Sequence, residues 1–194
     1  MHNPPPLPPS FRSPPPSQPP GLHKNEVALT HAEARAHFAA WAIVSSPLVL
    51  GLDLTNASLV DSVWDIIANE EAIAVNQAWA GGSGTLLQRD ASNVTWAPCG
   101  IWPSCSAGTW EIWSKPLPGG RAAVLLLNHG AGASPPVVLQ LASVPGLTQC
   151  GSAGQPCAVR DLYAHAFVSN TTVGSFTFSP LSSHDSAFLV FSAA

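Results

Sequence analysis

The residues of this chain with chemistry to offer are 11 carboxylates, seven histidines and four cysteines among 194 positions. Hydrolytic acid–base work needs two carboxyl groups facing each other, so paired acids are the first pattern to seek. Asp61 and Asp65 stand at i, i+4, where like charges on a helix form a solvated face. Glu70 and Glu71 are adjacent and point in different directions. Asp53 follows a short apolar run, which places it where the mouth of a barrel would lie. The competing reading is that Asp53 caps the turn into the next helix. The histidines make no metal motif: His31 and His37 are six positions apart, and no His-Glu-x-x-His occurs. No metal is expected.

The cysteines fall into two local pairs, Cys99 with Cys105 and Cys150 with Cys157. Their spacings are wider than the usual zinc pattern, so two hairpin disulfides are expected. Each closes a short loop and contributes roughly 2 to 2.5 kcal/mol by chain entropy. That requires an oxidising compartment. Three sequons, at Asn56, Asn93 and Asn170, point the same way and are glycosylation candidates. The expected location is the secretory route, whether extracellular, vacuolar or lysosomal. Among the tryptophans, Trp41 and Trp64 read as helical core. Trp79, Trp96 and Trp102 sit among turn residues and are the candidates for stacking on a sugar.

Stepping from these residues to the elements that carry them, Thr30 and Glu33 form a capping box. Ala34, Phe38, Trp41, Ala42 and Ser45 follow at helical spacing, and Pro47 stops the helix. Residues 48–52 are an apolar run of the kind expected for a strand buried on both faces. Ser58 with Asp61 opens a second helix, whose apolar side holds Leu59, Val63, Ile66 and Ile67. Helix, strand, helix is the order found near the end of a β/α barrel. Beyond Gly84 short β-rich runs alternate with Gly, Pro, Asn and Ser, at 109–114, 122–128, 137–141, 176–178 and 187–191. Such spacing predicts an antiparallel sandwich. The expected class is α+β, mainly β, with a helix-strand-helix remnant of a (β/α)8 barrel preceding a β-sandwich.

Ten prolines lie in the first 20 residues, which keeps that stretch out of helices and central strands. It reads as an extended, disordered segment that is a PPII ligand, a linker or translated non-coding sequence, and it lacks the apolar core of a signal peptide. The expected division is 1–25 proline-rich, 26–83 barrel-derived and 84–194 sandwich. A net charge of −4 with seven basic residues argues against a nucleic-acid partner. No apolar run approaches a membrane span.

Several motifs carry a family resemblance. His37-Phe38, Trp41-Ala42-Ile43, Pro47-Leu48, Gly51, Asp53-Leu54 and the run from Ile73 to Gln77 resemble the closing barrel segment of melibiase-type α-galactosidases, glycoside hydrolase family 27. Residues 111–117, 122–128, 161–165 and 184–190 resemble that family's C-terminal sandwich. The resemblance spans about residues 29–194. It implies a retaining glycosidase acting on terminal α-galactosides without cofactor, and leaves room for a dimer. It places both catalytic Asp residues on middle barrel strands, the nucleophile within Lys-Tyr-Asp. This sequence has no Lys-Tyr-Asp, and its single tyrosine is Tyr163. No catalytic residue is therefore expected in the chain, and the isolated chain should be inactive. His165 and His184 match sandwich positions and read as hydrogen-bonded structural residues.

The run Asn76-Gln77-Ala78-Trp79-Ala80-Gly81 departs from the family's Asn-Gln-Asp-Pro-Leu-Gly and leaves the sugar open. Residues 97–107 look like an insertion. Without barrel neighbours, residues 28–80 are expected to be sticky or disordered while residues 84–194 fold alone. Two further readings stand beside the first: a non-catalytic carbohydrate-binding or stabilising module, and the product of a truncated gene.

Overall fold

The computed structural model describes residues 29–90, 95–99, 102–107, 109–151 and 155–194; for residues 95–99 and 102–107 it describes the backbone alone. Four helices come first: α1 (His31–Ile43), α2 (Ala57–Asp61), α3 (Trp64–Ile67) and α4 (Glu70–Gln77). Ten strands follow: β1 (Thr85–Arg89), β2 (Thr95–Cys99), β3 (Trp102–Ala107), β4 (Trp110–Leu117), β5 (Arg121–Asn128), β6 (Val137–Gln140), β7 (Cys157–Asp161), β8 (Ala166–Thr172), β9 (Ser175–Phe178) and β10 (Ser186–Ala193). The fold is mainly β, as the strand spacing predicts. Beyond the expected strands, the structure adds β1, β7, β8 and the β2–β3 hairpin.

The main sheet has six strands in the order β1-β4-β5-β10-β7-β8, with every pairing antiparallel. Successive side chains on a strand face opposite ways, and this divides the apolar residues into two cores. Ala122, Val124 and Leu126 of β5, with Leu189 and Phe191 of β10, face a ribbon formed by β6 and β9. Ala123, Leu125 and Phe188 face the opposite way. That second face is covered by α1 and α4, through Ala39, Ala42, Ile43, Ala72 and Val75. The sheet is thus buried on both sides, which is why β5 reads as an almost unbroken apolar run.

The helical segment departs from expectation in three ways. Residues 48–52 form no strand, and Val49 and Leu50 are about half exposed. A parallel strand needs a partner to satisfy its backbone, and no other strand from the helical segment lies among the described residues to pair with it. The second helix is three short ones. Asn56 and Asn69 cap α2 and α4, their side chains accepting hydrogen bonds from the backbone N–H of Leu59 and Ala72. Finally, α1 and α4 are packed, not stray: Ala39, Ala42 and Ala72 are completely buried. The capping box on α1 forms as expected, with Thr30 and Glu33 bonded reciprocally.

Polar contacts fix the helices to the sheet. Lys115 of β4 is fully buried, and its Nζ donates to the carbonyls of Val75 and Asn76 in the last turn of α4. Asn69 Nδ2 donates to Leu162 O at 2.8 Å, and Asn76 Nδ2 donates to Ser46 O at 2.8 Å. Gly84 makes the closest approach: a Cβ there would lie 2.5 Å from the Ile43 carbonyl oxygen. No bulkier residue fits that crossing without displacing α1.

Candidate functional site

An apolar groove of about 460 Å³ runs between α1 and the sheet. His37, Ala40, Trp41 and Val44 line one wall at i, i+3, i+4 and i+7 of α1, and Trp113, Leu125 and Leu127 line the other. Trp41 Nε1 donates to His37 Nε2 at 2.8 Å, with the two rings edge to face. That bond requires an unprotonated Nε2, and burial pushes the His37 pKa down, in the same direction. Across the groove, Glu111 accepts from Trp113 Nε1 at 3.0 Å and meets His129 at 3.4 Å. The His129 contact is the main reason the Glu111 carboxyl is held below its usual range.

A second polar cluster sits where α4 meets β7. Glu71 accepts from both Nε and Nη2 of Arg160, and from His165 Nδ1 at 2.7 Å. The Arg160 hydrogen bond is the largest influence holding the Glu71 pKa down. Arg160 also lies over the Phe167 ring, 5.2 Å from its centroid. Nearby, Tyr163 donates its hydroxyl to Arg35 O at 2.7 Å, while Arg35 pairs with Asp185 at 2.8 Å. Burial raises the Tyr163 pKa well above the ordinary phenol value.

The structure places the singled-out acids as follows. Asp53 is exposed and accepts from the backbone N–H of Thr55 at 3.0 Å and from its hydroxyl at 2.6 Å. Those bonds lower its pKa, the hydroxyl foremost. Asp65 pairs with His31 at 3.0 Å, and Asp61 is exposed. Glu70 faces solvent while Glu71 turns inward to Arg160. Among the described residues no cluster of His, Cys, Asp and Glu is arranged for a metal. Cys150 and Cys157 are disulfide-bonded, with Cα atoms 5.2 Å apart.

Cys99 and Cys105 lie on the β2–β3 hairpin, opposite Trp102 and Ala97 respectively, and their side chains fall outside the described residues. So do the side chains of Trp96 and Trp102, and Asn93 as a whole. Asn56 and Asn170 are exposed. Trp64 is 59% exposed rather than core, because α3 is a single turn whose buried side is Ile66. Trp79 is exposed as well. His165 bonds Glu71, and His184 adopts a left-handed φ of 56° in the turn before β10.

The carboxyl groups of Glu33, Asp53, Glu71 and Glu111 are displaced downward. A glycosidase general acid needs the opposite shift. These groups act as ionised partners in turns, caps and ion pairs. Two features escaped sequence reasoning: the groove, and the anchoring of α4 by Lys115. The second had a signal, since Lys115 shares its side of an alternating strand with Trp113 and Leu117.

An antiparallel sandwich with helices over one face defines the class of domain. Residues 107–191 match the family described as "Alpha galactosidase C-terminal beta sandwich domain". Alpha-galactosidase 3 of Arabidopsis thaliana is 32% identical over 148 residues, covering 76% of this chain and 29% of the relative. Alpha-galactosidase 5 of Saccharomyces cerevisiae is 36% identical over 107 residues, covering 55% and 21%. In fold, the chain is similar to alpha-galactosidase I from Mortierella vinacea, with a TM-score of 0.68 at 23% identity, over 89% of this chain and 38% of that one. A GH27 β-L-arabinopyranosidase from Geobacillus stearothermophilus is also similar, with a TM-score of 0.65 at 22% identity, over 86% and 31%. The resemblance to the C-terminal part of melibiase-type α-galactosidases is thereby shown. The chain spans about 30% of the length of the curated plant relatives it matches.

Proposed function

We propose that this chain is the C-terminal portion of an α-galactosidase, a retaining glycoside hydrolase that releases terminal α-D-galactosyl residues without a cofactor. In this reading the sandwich is a buttress. It holds α1 and α4 rigidly on one sheet face, so that a catalytic barrel can be built outward from them. The observation that carries the reading is the buried seam of α1, α4, β5 and β10, pinned by Lys115. Catalytic carboxylates are assigned to the barrel, and Asp53 to a turn.

The pure 194-residue chain should show no turnover of p-nitrophenyl α-galactoside. Turnover that disappears on Asp53→Asn would overturn this assignment and make Asp53 a catalytic group. A secretory route is supported by the Cys150–Cys157 disulfide and by the exposure of Asn56 and Asn170. A second pairing of Cys99 with Cys105, and glycosylation at Asn93, belong to the same reading. So does the division near residue 84.

A second reading is a carbohydrate-binding module, favoured by exposed indoles at Trp64 and Trp79. It predicts saturable galactoside binding without turnover, lost on Trp64→Ala or Trp79→Ala. Sandwich folds serve many functions, so the fold alone does not choose between the two.

A further inference from the structure

The six-stranded sheet ends on one side at β8, which pairs with β7 and with no other strand among the described residues. Such an edge offers unpaired backbone N–H and C=O groups to any other extended chain. Proteins blunt these edges with charge, proline or a bulge. Of these devices β8 has the bulge alone: its register against β7 slips on either side of Val159. Residues 166–173 read Ala-Phe-Val-Ser-Asn-Thr-Thr-Val, without a charged residue or a proline. Phe167, Val168 and Val173 are each about half exposed. An uncharged, proline-free stretch rich in β-formers is a template for strand-to-strand association. The opposite edge strand, β1, ends in a charge at Arg89.

Asn170 stands within this edge, between Val168 and Val173, and begins the sequon Asn170-Thr171-Thr172. Its side chain is exposed and holds no hydrogen bond among the described residues. Asn56 differs, because its side-chain oxygen caps α2. Resting on the secretory reading above, we propose that Asn170 carries an N-linked glycan that shields the β8 edge from pairing with other chains. Transfer joins Asn170 Nδ2 to the anomeric carbon of a lipid-pyrophosphate-linked oligosaccharide. The bond from that carbon to the pyrophosphate breaks, and one amide proton is released. Transfer must precede the pairing of β8 with β7. In the fold Thr172 is buried, and its hydroxyl donates to Ser169 Oγ at 2.8 Å. The bulky, hydrated glycan then stands on the one strand edge that lacks a charge. No hydrogen bond of the Asn170 side chain is lost in placing it there.

The test secretes the full chain from yeast behind a cleavable leader. Glycans are mapped by mass spectrometry after enzymatic release in heavy-oxygen water. Expected is occupancy of Asn170 in most molecules. Trimming the folded protein with endoglycosidase H should speed aggregation, followed by light scattering, about tenfold, and Asn170→Gln should do the same. Trimming should add nothing further to Asn170→Gln, which separates this glycan from any other. The urea midpoint should stay unchanged, because association is affected and folding is not. Adding Val168→Lys to the Asn170→Gln chain should restore the parent's rate, since a charge then guards the edge. An empty Asn170 in a chain whose Cys150–Cys157 disulfide has formed overturns the proposal alone. Free thiols at both cysteines in protein from its own cells overturn the secretory reading and the proposal with it. Equal aggregation with and without the glycan, or no rescue by Val168→Lys, also overturns it.

Discussion

Replacing Lys115 by Met probes the joint between helices and sheet. The methionine keeps most of the aliphatic stem, so the apolar contacts of β4 survive and the ammonium alone is lost. In the native fold that ammonium donates to the Val75 and Asn76 carbonyls with no exposure to solvent. Hydrogen bonds to charged groups contribute about 1.5–3 kcal/mol each, and a carbonyl left buried without a donor costs a further ~1–3 kcal/mol. A cation at a helix C-terminus adds roughly 0.3–1 kcal/mol. Against these stands the cost of burying the ammonium, which also explains why the Lys115 pKa is pushed down.

The net expectation for Lys115→Met is a loss of about 2–4 kcal/mol, comparable to other breaks in buried polar contacts. For a chain of this size, each kcal/mol lowers Tm by about 2–4 °C. The midpoint should therefore fall by about 4–16 °C. Urea unfolding measures the free energy, and hydrogen exchange at the α4 amides shows where the loss falls. The α4 amides should lose protection before those of β5 and β10. A change within about 0.5 kcal/mol of the parent, the range of an ordinary surface substitution, would refute the assignment of Lys115 as the anchor. Unaltered protection of α4 would refute it equally.

Two other perturbations test the groove and the crosslink. His37 has its pKa lowered in the fold, so its contribution to stability is full above the unfolded value of 6.5 and is lost as pH falls through the lower folded value. Tm measured from pH 7.5 to 5 should drop more steeply for the parent than for His37→Gln, and parallel curves would remove His37 from the balance. Changing both Cys150 and Cys157 to Ser should cost about 2–3 kcal/mol by loop entropy, read as a lower urea midpoint; no loss would mean the loop is already held by the core around Leu141 and Leu147.

What the sequence disclosed follows from how each signal arises. The Thr30–Glu33 capping box is a local hydrogen-bond pattern, and it is present as read. β5 and β10 were legible because strands buried on both faces are apolar at every position. Residues 48–52 carry the same apolar signature, and the structure gives them no strand. Periodicity reports burial, while strand formation requires a neighbour. β7, which reads Cys-Ala-Val-Arg-Asp, was missed because its last two residues serve polar contacts: Arg160 meets Glu71 across 89 positions, and Asp161 accepts from the backbone N–H of Tyr163 and Ala164. The groove was illegible for a related reason. Its walls come from α1, β4 and β5, and only their crossing brings Trp41 opposite Trp113.

The strand order carries a consequence for how this polypeptide comes into being. β10 lies between β5 and β7, yet it follows both along the chain. Its Ser186 pairs with Leu127 and its Leu189 with Asp161, so it joins two halves made much earlier. During synthesis the β4–β5 and β7–β8 hairpins can form as they emerge, but each then presents a raw central edge. Neither α1 nor the β6–β9 ribbon has a finished surface to settle on until residues 186–193 arrive. A ribosome stalled before that point would display two unpaired apolar hairpins to chaperones. The protein's window of vulnerability therefore stays open until its last described strand is translated.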